Sequence, residues 1–149
     1  MADTRDVVPI ASDAALALGH FGADASVPVV FLNGEFDIEN VPDIDRFLRR
    51  SLGPLYFKHN LVLDLKRVTF VDSSFLGFVV TLVRRLQKER QELLLTRPVG
   101  AVRRTLAAVG LPNVVPVYDS LAEAVSALVP GLPLIPPPFD AGPRTLTRV

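Results

Sequence analysis

Between Asn60 and Leu65 the chain reads Asn-Leu-Val-Leu-Asp-Leu. A strand with one wet face alternates apolar and polar residues. This run is apolar on both faces until its end, so it belongs in the middle of a sheet covered by other layers. The flanking segments supply those layers. Val27 to Leu32 is β-branched and aromatic and closes on Asn33-Gly34, which predicts a strand followed by a turn. Ala15 to Phe21 is weakly apolar and separated from it by Gly22-Ala23-Asp24-Ala25-Ser26, compatible with a hairpin. Ile44, Phe47, Leu48 and Leu52 fall at helical spacing and predict a helix over 41–52, stopped by Gly53-Pro54.

Val68 to Val71 continues beyond the central run, and Asp72-Ser73-Ser74 leads into an apolar-periodic helix reaching Glu89. A short strand over 93–95, a helix over 99–109 ended by Gly110, a strand over 114–118 and a helix over 121–128 follow. Strands alternating with helices imply a mixed or parallel sheet with crossover helices, hence the α/β class.

Sixteen basic and sixteen acidic residues cancel, so no net field gathers phosphate backbones or an anionic membrane, and neither nucleic acid nor membrane insertion is expected. The absence of cysteine and the wide separation of His20 and His59 argue against a metal site, and no cofactor motif occurs. The start of the chain lacks the pattern of a secretion signal, so a cytoplasmic protein is expected. From Pro130 the residues GLPLIPPPFDAGPRTLTRV favour extended conformations and predict a flexible tail over 130–149 following one domain over 1–129.

Two hydroxyls, Ser73 and Ser74, stand at a strand-to-helix junction directly after Asp72. A serine or aspartate in such a place ordinarily caps the helix by accepting a hydrogen bond from a free N–H. The apolar arc of the helix behind them covers roughly 200°, wider than the stripe of little over 100° that a helix on a sheet needs. Leu76, Val79, Val83 and Leu86 suffice to bury it. Phe75, Phe78 and Leu82 are left either as a partner surface or as packing beneath a neighbouring loop.

Several segments, in order, resemble the STAS domains of bacterial anti-sigma-factor antagonists. Asn33-Gly34-Glu35-Phe36-Asp37 resembles the family's turn before its first helix, and Leu61 to Leu65 its central strand. Val68-Thr69-Phe70-Val71-Asp72-Ser73-Ser74-Phe75-Leu76-Gly77 is similar to the segment whose first serine is phosphorylated. Val102 to Leu106 and Gly110-Leu111 match a later helix, so the resemblance spans about 27–128. It implies a four- to five-stranded mixed sheet with about four helices mainly on one face.

The same resemblance implies a non-enzymatic switch, monomeric or weakly dimeric. An anti-sigma factor with serine kinase activity would bind it while Ser73, or as second choice Ser74, is unphosphorylated, and a phosphatase would reset it. The partner surface would comprise Asn33, Gly34, Asp37, Asp72 and Ser74 with Phe75, Phe78 and Leu82 of the helix. Phe75 departs from the family's usual glycine, and its ring either extends the partner surface or hinders a kinase.

Three other readings compete. A receiver domain would use Asp64 as phosphoacceptor, but Glu35 and Asp37 follow the wrong strand to hold magnesium and no lysine occurs after Lys88. An enzyme with Ser73 as nucleophile would need a base, and neither His20 nor His59 has a supporting pattern. A constitutive STAS scaffold in a stress-signalling or transport assembly would profit from Phe75 as extra aromatic area.

Overall fold

The structure, a computed structural model, describes residues 7–128, so the tail expected at 130–149 lies outside the described residues. One sheet holds six strands in chain order: β1 (Val7–Ala11), β2 (Ala14–Phe21), β3 (Val27–Phe36), β4 (Leu61–Val71), β5 (Leu93–Thr96) and β6 (Val117–Tyr118). β1, β2 and β3 pair antiparallel, and β3 to β6 pair parallel. Parallel neighbours need crossovers. These are α1 (Val41–Leu52), α2 (Ser73–Lys88) and α3 (Gly100–Ala108), while α4 (Leu121–Leu128) follows β6.

Because the parallel strands are added in one direction, crossovers of one hand carry α1, α2 and α3 to the same face. The larger core accordingly joins Val30, Leu32, Leu61, Leu63 and Leu65 of the sheet to Ile44, Leu48, Val79, Leu86, Val102 and Leu106 of those helices. The smaller core joins Val29, Val62 and Leu94 to Ala124, Val125 and Leu128 of α4 on the other face. Leu61 to Leu65 is therefore the central, doubly covered strand that its composition requires. Among the described residues no helix is long and apolar enough to cross a membrane.

The sheet has one strand more than expected. β1 is a short edge strand with Val7, Pro9 and Ala11 exposed, and an edge is where a proline without an N–H is tolerated. At the other edge only Val117 and Tyr118 pair, because Leu111–Asn113 forms a 3-10 turn whose Leu111 carbonyl accepts from the N–H groups of Val114 and Val115.

The turn expected at Asn33-Gly34 is not there. β3 runs through both residues to Phe36, and the chain reverses over 37–40. Gly34 has φ +104°, and a Cβ on it would lie 1.8 Å from the carbonyl oxygen of Asp13. The β1–β2 turn folds onto β3 at this point, where the Glu35 N–H donates to that same oxygen at 3.1 Å. The glycine serves a close approach within a strand rather than a reversal.

β4 also carries two irregularities against β3, between the pairs Phe31–Asp64 and Asn33–Arg67 and between Gly34–Val68 and Glu35–Phe70. Each inserts one extra residue into β4 and turns two successive side chains outward. Lys66 with Arg67, and Thr69 with Phe70, are exposed, whereas Val68 and Val71 return to the core.

Candidate functional site

Parallel strands place their C-terminal ends at one edge, where α/β proteins commonly put functional groups. At this edge the Asp72 N–H donates to the Phe36 carbonyl at 3.2 Å, tying the end of β4 to the end of β3. Asp72 has an extended backbone and caps α2. Its Oδ1 accepts from the N–H groups of Ser74 and Phe75 at 2.9 and 3.2 Å. Its Oδ2 accepts from the Ile38 N–H at 3.1 Å, across 34 positions of sequence. Asp72, not a serine, is thus the cap. Ser73 is the first residue of the helix, exposed, with a hydroxyl the cap does not use. Ser74 is half-buried.

The loop between β3 and α1 is stapled by its own side chains. Asp37 Oδ1 accepts from the N–H groups of Glu39 and Asn40 at 3.0 and 3.3 Å. Asn40, buried, accepts from the Asp37 N–H at 3.0 Å and donates from Nδ2 to the Glu35 carbonyl at 2.8 Å. These bonds hold the turn and leave Ile38 71% exposed at its tip. Phe70, 48% exposed, stands three residues before Ser73 where the second irregularity turns it outward. No lysine or arginine occurs over 33–45 or 68–83, whereas Glu35, Asp37, Glu39 and Asp72 do, so the segments that form this edge carry acidic side chains and no basic ones.

The aromatic flank expected on α2 is corrected by the packing. Phe75 and Leu82 have 0% and 1% of their surface accessible and offer nothing to a partner. α2 packs beside α1 and the Tyr56–Lys58 turn as well as on the sheet, which buries a wider arc than a sheet alone requires. The Phe75 ring meets the Phe36 ring with centroids 6.1 Å apart, filling the core beneath the site. Phe78 and Leu76 are half-buried at its border, so of the two alternatives for the flank, packing holds for Phe75 and Leu82.

Asn33 and Gly34 stand further back on the ladder, opposite Arg67 and Val68. Asn33 lines a recess of about 200 Å³ together with Asp64, Lys66 and Arg97, rather than the surface around Ser73. Asp37 lies at the edge that holds Ser73, where its carboxylate serves the turn. The exposure of Ile38 and Phe70 was not legible in the sequence, because an isolated apolar residue in a polar loop, or at a strand end, carries no periodic signal.

Asp64 is 2% exposed, and both its oxygens are taken, by the Thr96 hydroxyl at 2.8 Å and by Arg97 at 2.8 and 3.1 Å. Asp64 is therefore not free to serve as a receiver-type phosphoacceptor. His20 pairs with Pro28 near the start of β3 and His59 precedes β4, so both stand at the opposite edge of the sheet from Ser73 and cannot act as its base.

The family model for the STAS domain matches residues 23–124. The chain belongs to the STAS-domain family. It is 28% identical over 102 residues to the anti-sigma F factor antagonist of Paenibacillus polymyxa, covering 68% of this chain and 86% of that one. It is 27% identical over 104 residues to a Thermotoga maritima protein described as a candidate anti-sigma factor antagonist, covering 66% and 87% respectively. The STAS fold is also that of the Bacillus cell-fate determinant SpoIIAA in its phosphorylated form, with a TM-score of 0.55 and 21% identity over 76% of this chain and all of that one.

Proposed function

We propose that this STAS protein is an anti-sigma-factor antagonist, a cytoplasmic regulatory binding protein whose hold on its anti-sigma partner is ended by phosphorylation of Ser73. The observation that carries the reading is the separation of roles at the start of α2. Asp72 takes the cap, so the exposed Ser73 hydroxyl remains available to a kinase. Ser74, half-buried with its N–H bound to Asp72, is the poorer acceptor.

A phosphate on Ser73 adds nearly two negative charges where the helix macrodipole tolerates them, so α2 persists. The charge enters an edge already carrying Glu35, Asp37, Glu39 and Asp72. Affinity for a partner that fitted the unphosphorylated edge therefore falls. In this reading the partner is an anti-sigma factor with serine kinase activity, the unphosphorylated antagonist frees the sigma factor, and a phosphatase resets the cycle. The protein acts as a monomer or weak dimer. The scaffold reading drew on Phe75 as interface area, and burial of that ring removes its support.

Incubation with ATP and an anti-sigma kinase encoded beside this protein should raise its intact mass by one phosphate at Ser73. Ser73→Ala should stay bound to the kinase in ATP and Ser73→Glu should not bind. Equal binding by the two variants would sink the reading.

A further inference from the structure

We infer that Ile38 is the apolar anchor of the partner surface and that Asp72 is the positioning residue tying its placement to the phosphorylation state of Ser73. This deepens the proposed function and rests on it for the partner's identity.

Ile38 is the most exposed large apolar side chain on the edge that holds Ser73. It is not loose. Asp37 and Asn40 fix the turn around it, so burial against a partner would cost little ordering. An apolar side chain on a stapled turn, flanked in sequence by Glu35, Asp37 and Glu39 and bound through its N–H to Asp72, fits a protein that presents an apolar pocket rimmed by lysine or arginine.

The Ile38 N–H donates to Asp72 Oδ2, while Oδ1 of the same carboxylate holds the Ser74 and Phe75 N–H groups. One rotamer of one side chain therefore serves both the start of α2 and the tip of the β3–α1 loop. A phosphate on the adjacent Ser73 is drawn to the same helix N–H groups and repels the carboxylate that occupies them. Displaced, Asp72 releases the Ile38 N–H to water. The loop keeps its own staples, so the change is local, and Ile38 loses its set position as the new charge appears.

The full-length protein with phosphoserine incorporated at position 73 tests the coupling without any partner. Solvent exchange of the Ile38 amide, read by NMR, should accelerate about tenfold relative to the unphosphorylated protein on loss of its one hydrogen bond. The Glu39 and Asn40 amides should change less than about twofold, since their acceptor Asp37 is untouched. Asp72→Asn separates positioning from capping. Asparagine caps a helix as well as aspartate does but replaces one acceptor oxygen with a donor. It should lower the melting temperature by only a few degrees, less than Asp72→Ala does, and free the Ile38 amide as phosphoserine does. An Ile38 amide indifferent to phosphoserine, or to Asp72→Asn, overturns the coupling.

Ile38→Ala should weaken binding of the unphosphorylated protein to the anti-sigma factor by about tenfold or more at unchanged melting temperature, and undiminished binding overturns the anchor. Failure of the wild type to bind an anti-sigma factor at all overturns the proposed function and with it the anchor, and is distinct from failure of the amide to respond.

Discussion

The carboxylate of Asp64 and the guanidinium of Arg97 meet through two parallel hydrogen bonds, 2.8 and 3.1 Å long, that tie the middle of β4 to the residue just past β5. Arg97 adopts φ +56°, a conformation costly for a side chain of its size, and its N–H is fixed by the Tyr118 carbonyl at 2.8 Å. Arg97→Ala leaves a nearly inaccessible carboxylate with only the Thr96 hydroxyl. Stability in urea should fall by about 2–3 kcal/mol, a value tempered by the partial exposure of the guanidinium. The double change Asp64→Leu with Arg97→Met should recover most of that loss, since neither charge is then stranded.

Gly34 admits no side chain. Gly34→Ala sets a methyl against the Asp13 carbonyl in a backbone conformation alanine avoids, and should cost about 3 kcal/mol or more. Thermal unfolding measures the loss. Hydrogen exchange should place the opening at the Glu35 amide, which donates to Asp13. A variant as stable as the parent would contradict the close approach.

The division of labour between Asp72 and Ser73 has a thermodynamic signature. Ser73→Ala should change stability by less than about 0.5 kcal/mol, whereas Asp72→Ala should cost about 1–2 kcal/mol through loss of the cap. Chemical denaturation of the two variants decides it, and the reverse order would return the cap to the serine.

Asp45 and Tyr56 predict a pH dependence at both extremes. Burial alone would raise the Asp45 carboxyl, but hydrogen bonds from Tyr56 and Arg49 and the charges of Arg49 and Arg85 outweigh it and hold the group below its ordinary value of 3.8. Its contribution is present above that value and lost as pH falls through the lower folded-state pKa. Burial, then the Asp45 hydrogen bond, pushes the Tyr56 hydroxyl well above its ordinary 10.0. That contribution is intact below pH 10.0 and lost as pH rises beyond it, because the unfolded chain ionises first. Tyr56→Phe should cost about 1 kcal/mol at pH 7 and progressively less at about pH 3 and about pH 11, measured as urea midpoints across that range.

Leu61 to Leu65 and the 3.6-residue periodicities of α1 and α2 were legible because burial on a regular element writes itself into the sequence. What was hidden depends on neighbours distant along the chain. Asn33-Gly34 has the local chemistry of a turn, and only the carbonyl of Asp13 folding onto it reveals why a strand needs a glycine there. The wide arc of α2 looked like a surplus for a partner, because a single helix does not say how many elements pack against it. β1, five residues with a proline and one exposed face, lacks the apolar content that marks the interior strands. At the site, the acidic residue and its serines were visible, but which of them takes the cap is set by the extended backbone of Asp72, which no residue pattern encodes. Equally hidden was the reach from Asp72 to Ile38, which crosses 34 positions that no local pattern spans.

β4 pairs with β5 only as far as Asp64, and the stretch to Val71 is laddered to β3 alone. The two strand ends that carry the Ser73 edge therefore share one set of main-chain bonds in which β5 and β6 take no part. Changes in the pairing of β5 with β6 reach the register of that edge only indirectly, through the helices packed on the sheet.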